Sequence, residues 1–216
     1  MYAKYIKRPL DFILSLISII LLSPLIILIG ILVKLTSKGS VFFLQERLGK
    51  DGEVFKIIKF RTMIPNAEKI GDGLKVKSET DNRITKLGKI LRKTSLDELP
   101  QLINVLIGQM SLVGPRPPVT YHPHRYEDYT KEQKQRFLVR PGITGLAQVR
   151  VRNSATWDER IEIDIEYVKK ISFIEDLKIF FNTIFKVLKS ENTYGNTEEN
   201  KERVGVKNDR DNIEND

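Results

Sequence analysis

The segment RKTSLDELPQLINVLIGQMSLVGPRP, residues 92–117, dictates how the rest of the chain is organised. It opens with two cations and reaches two adjacent carboxylates, Asp97 and Glu98. An apolar helical pattern follows, and the segment ends with Arg116 between two prolines. Acidic groups, cations and a rigid backbone therefore occur together, which packing alone does not require.

A helix is predicted to begin beside the two carboxylates. Ser95 and Glu98 have the spacing of a capping box, with Ser95 as the N-cap. Pro100 agrees with this start, because proline is tolerated only in the first turn of a helix. The helix carries an apolar stripe expected to face the core and a polar stripe on another face. These stripes are Leu96, Leu99, Ile103 and Leu106, and Asp97, Gln101 and Asn104.

The carboxylates have two explanations. Acids in a first helical turn favour the helix dipole without any chemistry. The nearby arginines and the glycine-proline turn instead favour a reactive centre, in which an ionised, partly desolvated carboxylate attacks phosphorus. Such a centre needs cations against the charge of the phosphate, here Mg²⁺ and arginines. Glu98 offers the oxygen ligands that Mg²⁺ prefers, and Arg116 lies on a stiff backbone suited to a phosphate contact.

Composition narrows the function classes. The 216 residues carry a net charge of +8, with −4 from residue 190 onward and +12 on residues 1–189. Such a basic body predicts a polyanionic partner, which is nucleic acid, anionic lipid or a phosphorylated substrate. The absence of cysteine excludes a disulfide scaffold, a thiolate metal site and a cysteine nucleophile. With two histidines, carboxylate chemistry is favoured over histidine chemistry.

An apolar segment near the N-terminus has membrane-spanning length. Residues 12–33 are 22 residues without a charge, close to the ~20 that cross a bilayer as a helix. A cleaved signal peptide fits poorly, since no small-residue cleavage site follows. A buried core helix is disfavoured because no face of the segment is polar.

Ser23 and Pro24 interrupt this segment at its middle. Proline removes a backbone hydrogen bond and kinks a helix, and the Ser23 hydroxyl can satisfy a freed carbonyl. Both flanks are basic, which by the positive-inside rule places both on the cytoplasmic side. The flanking cations are Lys4, Lys7 and Arg8, and Lys34 and Lys38. We therefore predict a re-entrant helix, with an ordinary kinked spanning helix as the alternative.

A β-hairpin is predicted after the membrane segment. Residues 41–45 and 54–58 are rich in β-branched and aromatic residues, and GKDG at 49–52 is turn sequence. Lys59 and Arg61, two residues apart, should project to one face and reach one anion together, with a solvated strand edge as the alternative. Polar residues 65–82 predict a mobile loop, and residues 83–92 a helix with a basic face.

Three further segments complete the chain. Residues 139–145, VRPGITG, form a turn that presents Arg140, followed by Gln148, although such a turn alone is weak evidence for a phosphate site. Residues 157–168 fit either a strand or a helix. Residues 173–188 place apolar side chains on one face, as in an interfacial or a core helix. The polar residues 190–216 are expected to be disordered.

Taken together, five motifs resemble the bacterial sugar transferases known as monotopic phosphoglycosyl transferases. The resemblance covers residues 2–190, and five motifs in order are far more specific than any one of them. They are Ser23-Pro24, KFRTM at 59–63, SLDEL at 95–99, GPRP at 114–117 and RPGITG at 140–145. One departure is VRN at 151–153, where many relatives have Gly-Arg-Asn, which bears on sugar choice.

The resemblance implies an activity and roles for particular residues. The family transfers a phospho-sugar from a UDP-sugar to undecaprenyl (polyprenyl) phosphate and releases UMP, by a ping-pong mechanism. Asp97 would be the nucleophile that carries the phosphosugar, and Glu98 would assist it, with Mg²⁺ bound at this pair. Arg92 and Arg116 match phosphate-binding arginines of the family. Lys59, Arg61, Arg140 and Gln148 complete the expected substrate contacts.

The expected architecture is mainly α with a small β-hairpin. A re-entrant membrane helix (1–38) would join a compact catalytic domain with interfacial helices (39–189) and a polar tail (190–216). We expect the domain on the cytoplasmic face of the inner membrane, with a UDP-sugar, polyprenyl phosphate, the membrane and downstream glycosyltransferases as partners and no nucleic acid. The alternatives are a membrane-anchored basic binding module, including a nucleic-acid-binding one, and a phosphodiesterase that uses the same carboxylates.

Overall fold

A long N-terminal helix leads into a body of short helices and two small sheets in the computed structural model, which describes residues 1–67, 70, 81–151 and 155–188. The helices are α1 (Lys7–Thr36), α2 (Lys86–Lys93), α3 (Gln101–Leu106), α4 (Leu146–Arg150), α5 (Trp157–Lys170) and α6 (Phe173–Leu188). The strands are β1 (Phe42–Leu48), β2 (Val54–Phe60), β3 (Ser111–Val113) and β4 (Gly142–Thr144). The predicted architecture, mainly helical with a small hairpin, is confirmed. Most of the polar loop, the tail and residues 152–153 of the departing motif lie outside the described residues.

Helix α1 is long and apolar enough to cross a membrane. Its most apolar stretch has a mean hydropathy of 3.0 and is only 11% buried, so α1 is not a core helix of this body. Pro24 lies inside the helix, and its missing N–H frees the carbonyl of Ile20. The Ser23 hydroxyl donates to that carbonyl at 2.8 Å, as predicted.

Both ends of α1 contact the body. At the N-terminal end, Arg8 donates to the carbonyls of Val105 and Leu106, which end α3, at 2.6 and 2.9 Å. One turn on, Asp11 accepts a hydrogen bond from the Ser111 hydroxyl of β3 at 2.7 Å. The intervening residues of the helix are mostly exposed.

At the C-terminal end of α1, Ile29 and Val33 pack with Phe60 of β2 and Leu91 of α2 in one apolar cluster. Phe60 is only 1% exposed, because the outer face of the hairpin lies under the helix at this point. The body therefore holds α1 at two places that are far apart along its length.

The predicted hairpin is confirmed, although β1 runs on to Leu48, beyond its predicted end, and β2 ends at Phe60, before the predicted end of the second strand at Met63. β1 and β2 pair antiparallel from Phe42 opposite Phe60 to Leu48 opposite Val54. On the other face of β2, Phe55 and Ile57 are buried, and Lys59 follows them at the end of the same face. This register places the Lys59 ammonium beside the two carboxylates.

The predicted orientation of α3 is wrong. Asn104 and Gln101, placed on the polar stripe, are 0% and 2% exposed, whereas Ile103, placed in the core stripe, is 39% exposed. The reason is the free edge of β2. The Asn104 side chain accepts from the N–H of Ile58 at 3.0 Å and donates to the carbonyl of Lys56 at 2.8 Å. Its amide thus takes the place of a third strand.

A second, parallel pairing between β3 and β4 was not predicted. It joins Ser111 to Gly142 and Val113 to Thr144, so the GPRP turn and the RPGITG turn lie side by side. The approach leaves no room for side chains, because a Cβ on Gly142 would lie 2.1 Å from the nitrogen of Gly114. The glycines of both motifs are explained by this contact.

The C-terminal third is helical. Residues 157–168, which the sequence left open, belong to α5, and a capping box of Thr156 and Glu159 begins that helix. In α6, Ile179 faces the body while seven apolar side chains are exposed, so α6 is not a core helix. These side chains are Phe173, Ile174, Leu177, Phe180, Phe181, Ile184 and Phe185.

Candidate active site

The two carboxylates lie on a short 3-10 turn, Leu96–Glu98, rather than at the start of α3. The predicted capping box is wrong. Ser95 has φ +56° and makes no capping hydrogen bond, and the Glu98 side chain points to β2 instead. The reason is the competing ammonium of Lys59, which offers a charged partner that a backbone N–H does not.

Glu98 is held by two cations. Its Oε1 accepts from the Lys59 ammonium at 2.5 Å and from the Arg116 guanidinium at 3.4 Å. Burial alone would raise the pKa of Glu98, but Lys59 and Arg116 outweigh it and lower that pKa to about 2. Glu98 is therefore ionised at neutral pH.

Asp97 is the more secluded member of the pair, with 8% of its surface exposed. Burial and the negative charge of Glu98 raise its pKa to about 6, while Lys59, Arg92 and Arg116 act in the opposite direction. Within the described part of the chain, no hydrogen bond is donated to the Asp97 carboxylate. It is thus a desolvated base that the cations around it keep ionisable near neutral pH.

Arg92 and Arg116 approach the carboxylates from different elements. Arg92, near the end of α2, donates from Nε to the Thr62 hydroxyl at 3.1 Å, which fixes its side chain next to the KFRTM segment. The side chain of Arg116 is 44% exposed, although the prolines on either side of it are buried. A rigid, buried backbone therefore presents an accessible guanidinium beside Glu98.

Three other predicted residues contact different parts of the molecule. Arg61 is buried and donates to the backbone and side chain of Ser37 just after α1, so Lys59 and Arg61 do not share a partner. Strand β2 ends at Phe60, and the negative C-terminal end of α1 attracts this cation. Arg140 donates to the carbonyl of Gly108, and Gln148 to that of Ile143. Their substrate contacts stay predictions.

The carboxylate pair fits a magnesium ion. Among the described residues there is no cluster of three or more histidine or acidic side chains that would enclose a metal. Mg²⁺ does not need one, because it commonly binds through one or two carboxylates together with substrate phosphates and water. Asp97 and the second oxygen of Glu98 would be those carboxylates.

The sequence interpretation missed a buried ion pair next to residues 114–118, the turn that carries Arg116, which we call the arginine turn. Arg136 donates to Asp164 of α5 at 2.6 Å, and both side chains are almost completely buried. A signal for it existed in the sequence. If residues 157–168 form a helix, Asp164 lies on the face of Ile161 and Val168, where a charged residue needs a partner.

Comparisons with known proteins identify the family of this chain. The family described as bacterial sugar transferase matches residues 2–190. The chain belongs to the bacterial sugar transferase family.

Two relatives are named for glucose. The UDP-glucose:undecaprenyl-phosphate glucose-1-phosphate transferase of Klebsiella pneumoniae is 45% identical over 195 residues, covering 87% of this chain and 41% of that protein. A Caulobacter vibrioides protein of the same name is 42% identical over 193 residues, covering 87% and 72%. The chain thus spans about two fifths of the length of the Klebsiella relative.

A third relative is named for another sugar. The UDP-N-acetylgalactosamine-undecaprenyl-phosphate N-acetylgalactosaminephosphotransferase of Aeromonas hydrophila is 42% identical over 187 residues, covering 85% of this chain and 44% of that protein. Relatives of similar identity therefore differ in the sugar that their names specify.

Proposed function

We propose that this protein transfers a phospho-sugar from a UDP-sugar to undecaprenyl phosphate and releases UMP. The observation that carries the proposal is the carboxylate pair itself, in which Asp97 is desolvated and Glu98 is ionised between Lys59 and Arg116. Arginines that converge on a carboxylate suit a reaction in which a phosphate must be brought against a second negative charge. The names of the relatives supply the substrate classes.

The first half-reaction uses Asp97 as the nucleophile. A carboxylate oxygen of Asp97 attacks the phosphorus that bears the sugar, and the bond from that phosphorus to the bridging oxygen breaks. UMP leaves with the bonding electron pair, and Asp97 becomes an acyl phosphate that carries the sugar. Arg116, accessible beside Glu98, and Arg92, whose charge acts on Asp97, would neutralise the charge on the two phosphates.

The second half-reaction restores the carboxylate. A phosphate oxygen of the polyprenyl carrier attacks the same phosphorus, and the bond to the Asp97 oxygen breaks. The product is a polyprenyl diphosphate sugar, and Asp97 leaves as an ion. Downstream glycosyltransferases that extend this lipid-linked sugar are the expected partners.

Asp97 and Glu98 would hold Mg²⁺ together with the substrate phosphates. When bound, the ion would supply positive charge that polarises the phosphoryl oxygens and stabilises the departing UMP. The chain's own cations perform the complementary task. Lys59 and Arg116 keep Glu98 ionised and so able to bind a metal.

The site is proposed to lie at the cytoplasmic face of the inner membrane, with α1 as a re-entrant helix. Both ends of α1 contact the same body, and both carry cations. The exposed apolar face of α6 would lie in the headgroup region, as an interfacial helix does. Asp97 is then within reach of both a soluble nucleotide and a lipid phosphate.

An assay for UMP tests the proposal. Membranes that contain the protein are incubated with UDP-sugars, polyprenyl phosphate and Mg²⁺, and UMP and labelled lipid are measured. We expect both products with at least one UDP-sugar, and labelled protein when the lipid is omitted. Asp97→Asn should abolish all three signals, while Asp51→Asn, on the exposed hairpin turn, should leave them unchanged.

The alternatives give different results in the same assay. Free sugar phosphate without labelled lipid would indicate a phosphodiesterase. The absence of UMP with every UDP-sugar would indicate a membrane-anchored binding module. Activity that survives in Asp97→Asn would remove Asp97 as the nucleophile.

A further inference from the structure

The arginine turn is held almost entirely through its carbonyl groups. Three of the residues from 115 to 118 are prolines, which have no N–H to donate. Each of the four carbonyls accepts a hydrogen bond, two from backbone and two from arginines. The donors to Pro115, Arg116, Pro117 and Pro118 are Gly142 N at 2.9 Å, Arg136 Nη2 at 2.9 Å, Arg47 Nη1 at 3.0 Å and Leu48 N at 3.0 Å.

The contact to the carbonyl of Arg116 is made by the more deeply buried of the two arginines. The Arg136 side chain is 1% exposed and the Asp164 side chain 2%, and the two are 2.6 Å apart. A buried ion pair rarely stabilises a fold more than well-packed apolar side chains would, because both charges lose their hydration. Stability is therefore a poor explanation for its presence here.

The pair is not arranged for the strongest possible attraction. Within the described residues, Nε and Nη1 of Arg136 and Oδ1 of Asp164 have no hydrogen-bond partner. A bidentate contact would use two of these atoms at once. Instead, Nη2 of Arg136 donates to both Asp164 and the Arg116 carbonyl. The guanidinium is thus placed for its contact with the turn rather than for a bidentate contact with Asp164.

Arg116 needs such a backbone anchor because its side chain is weakly held. Its hydrogen-bond partner among the described residues is Glu98 at 3.4 Å, which is long for a charged hydrogen bond, and 44% of the side chain is exposed. The position of its backbone thus decides where the guanidinium lies relative to the carboxylates.

We infer that Arg136 and Asp164 are positioning residues for the transfer reaction. They determine where the Arg116 guanidinium lies, because Arg136 holds the Arg116 carbonyl by a hydrogen bond. The inference rests on the proposed function. Asp164 orients Arg136, Arg136 fixes the backbone of Arg116, and Arg116 contacts Glu98 and the substrate phosphates. Neither Arg136 nor Asp164 contacts the reacting atoms.

A double-mutant cycle tests the inference. Arg136→Lys keeps the charge but cannot serve Asp164 and the carbonyl in the same geometry. We expect it to lower kcat/KM for the UDP-sugar about tenfold or more, since small displacements of a positioning group are costly. In an Arg116→Ala background the same substitution should cost less than about threefold, because the group it positions is gone.

Asp164→Asn is the second variant, since it keeps the shape of the pair and removes one charge. Its effect on kcat/KM for the UDP-sugar should likewise be much smaller in the Arg116→Ala background than in the unaltered protein. Arg150→Lys is the matched control. Arg150 pairs with Glu166 of α5 at 2.5 Å on the surface and does not contact the turn, so its substitution should leave kcat/KM unchanged.

The outcomes separate the two proposals when UDP binding is measured beside UMP release. If Arg136→Lys and Asp164→Asn lower the measured signal by the same factor with and without Arg116, the positioning role is overturned. This holds whether the signal is UMP release or UDP binding. UDP binding without turnover in the unaltered protein overturns the transferase but leaves the cycle readable in the Kd for UDP. Absence of both signals overturns both proposals. If Arg136→Lys and Asp164→Asn both fail to fold, the pair serves the fold and the positioning role is overturned.

Discussion

Asp97 and Glu98 are neighbours in the chain, yet their surroundings assign them different charge behaviour. Glu98 accepts hydrogen bonds from Lys59 and Arg116, and these cations lower its pKa to about 2. Asp97 is buried beside that fixed negative charge, and its pKa rises to about 6.

The first prediction concerns pH. Since Asp97, the proposed nucleophile, would have to be ionised to attack phosphorus, kcat/KM for the UDP-sugar should rise with pH through about 6 and then level off. The UDP-sugar is the substrate to vary, because it does not itself titrate in this range. The lipid phosphate does, with a pKa near 6.

Lys59 provides the check on this assignment. Its charge lowers the pKa of Asp97, so Lys59→Met should move the rising limb to higher pH. Lys56→Met, on the same strand but exposed, removes the same charge and should leave the limb in place. If the rise of kcat/KM stays near pH 6 in Lys59→Met, a group other than Asp97 causes that rise.

The second prediction concerns stability. The raised pKa of Asp97 means that the fold disfavours its ionised form. That cost is absent below about pH 3, where the residue is protonated in both states, and is complete above about pH 7. Asp97→Asn should therefore stabilise the protein at pH 8 by on the order of 3 kcal/mol and should make no difference at pH 3.

Thermal unfolding midpoints in detergent at the two pH values would show this difference. Asp51→Asn is the control, because Asp51 is exposed on the hairpin turn. An Asp97→Asn variant that is less stable than the parent at pH 8 would contradict the raised pKa.

At the residue scale, the sequence identified the members of the site better than their partners. Asp97, Glu98 and Arg116 stand out because acids and a proline-flanked arginine share one segment. The buried contacts of Arg61 and Arg136 could not be inferred, because each depends on a segment distant in sequence. Arg61 lies 24 positions from Ser37, and Arg136 lies 28 from Asp164.

At the scale of elements, α3 shows why an amphipathic pattern can be assigned to the wrong face. A polar stripe is normally the solvent face. Here the free edge of β2 needs hydrogen bonds, and Asn104 supplies both a donor and an acceptor to it. Ile103 is left exposed on the opposite side. The hairpin itself was predictable, because its turn and strand signals are local.

The third prediction follows from that edge. Asn104→Ala would leave the part-buried N–H of Ile58 and carbonyl of Lys56 without this partner, and should cost about 2–4 kcal/mol of folding free energy. Ile103→Ala should cost less than about 1 kcal/mol, since its side chain is partly exposed. Thermal or urea unfolding would rank the two variants. A larger cost for Ile103→Ala than for Asn104→Ala would instead support the orientation of α3 that the sequence pattern predicts.

At the scale of the whole molecule, α1 is tied to the body by polar contacts at its start and by apolar packing near its end. Asp176 of α6 accepts hydrogen bonds from the hydroxyls of Tyr2 and Tyr167, each at 2.7 Å, and pairs with Lys7. Asp11 and Val33, which both contact the body, are about 33 Å apart along a straight helix. That length matches the hydrocarbon thickness of a bilayer, ~30 Å.

This arrangement favours re-entry over spanning. If α1 crossed the bilayer, a body that touches both of its ends would have to lie beside the helix within the hydrocarbon. The exposed cations near each end also favour the cytoplasmic side for both. Pro24 lies inside α1 with the Ile20 carbonyl satisfied by Ser23, and a kink at this position in the membrane would allow the chain to turn back at mid-membrane depth.

The fourth prediction is that residues 3 and 40 lie on one side of the membrane. The chain has no cysteine, so Ala3→Cys and Ser40→Cys each introduce a single thiol at an exposed position. A membrane-impermeant maleimide should label both variants in inverted vesicles and neither in right-side-out vesicles. Leu21→Cys is the control for depth, because Leu21 is 73% exposed on α1 and should resist labelling in both preparations.

Pro24→Ala, which returns an N–H to the Ile20 carbonyl, should straighten the helix and bring part of the population to label from opposite sides. Opposite-side labelling of residues 3 and 40 without that substitution would establish a spanning helix and exclude re-entry.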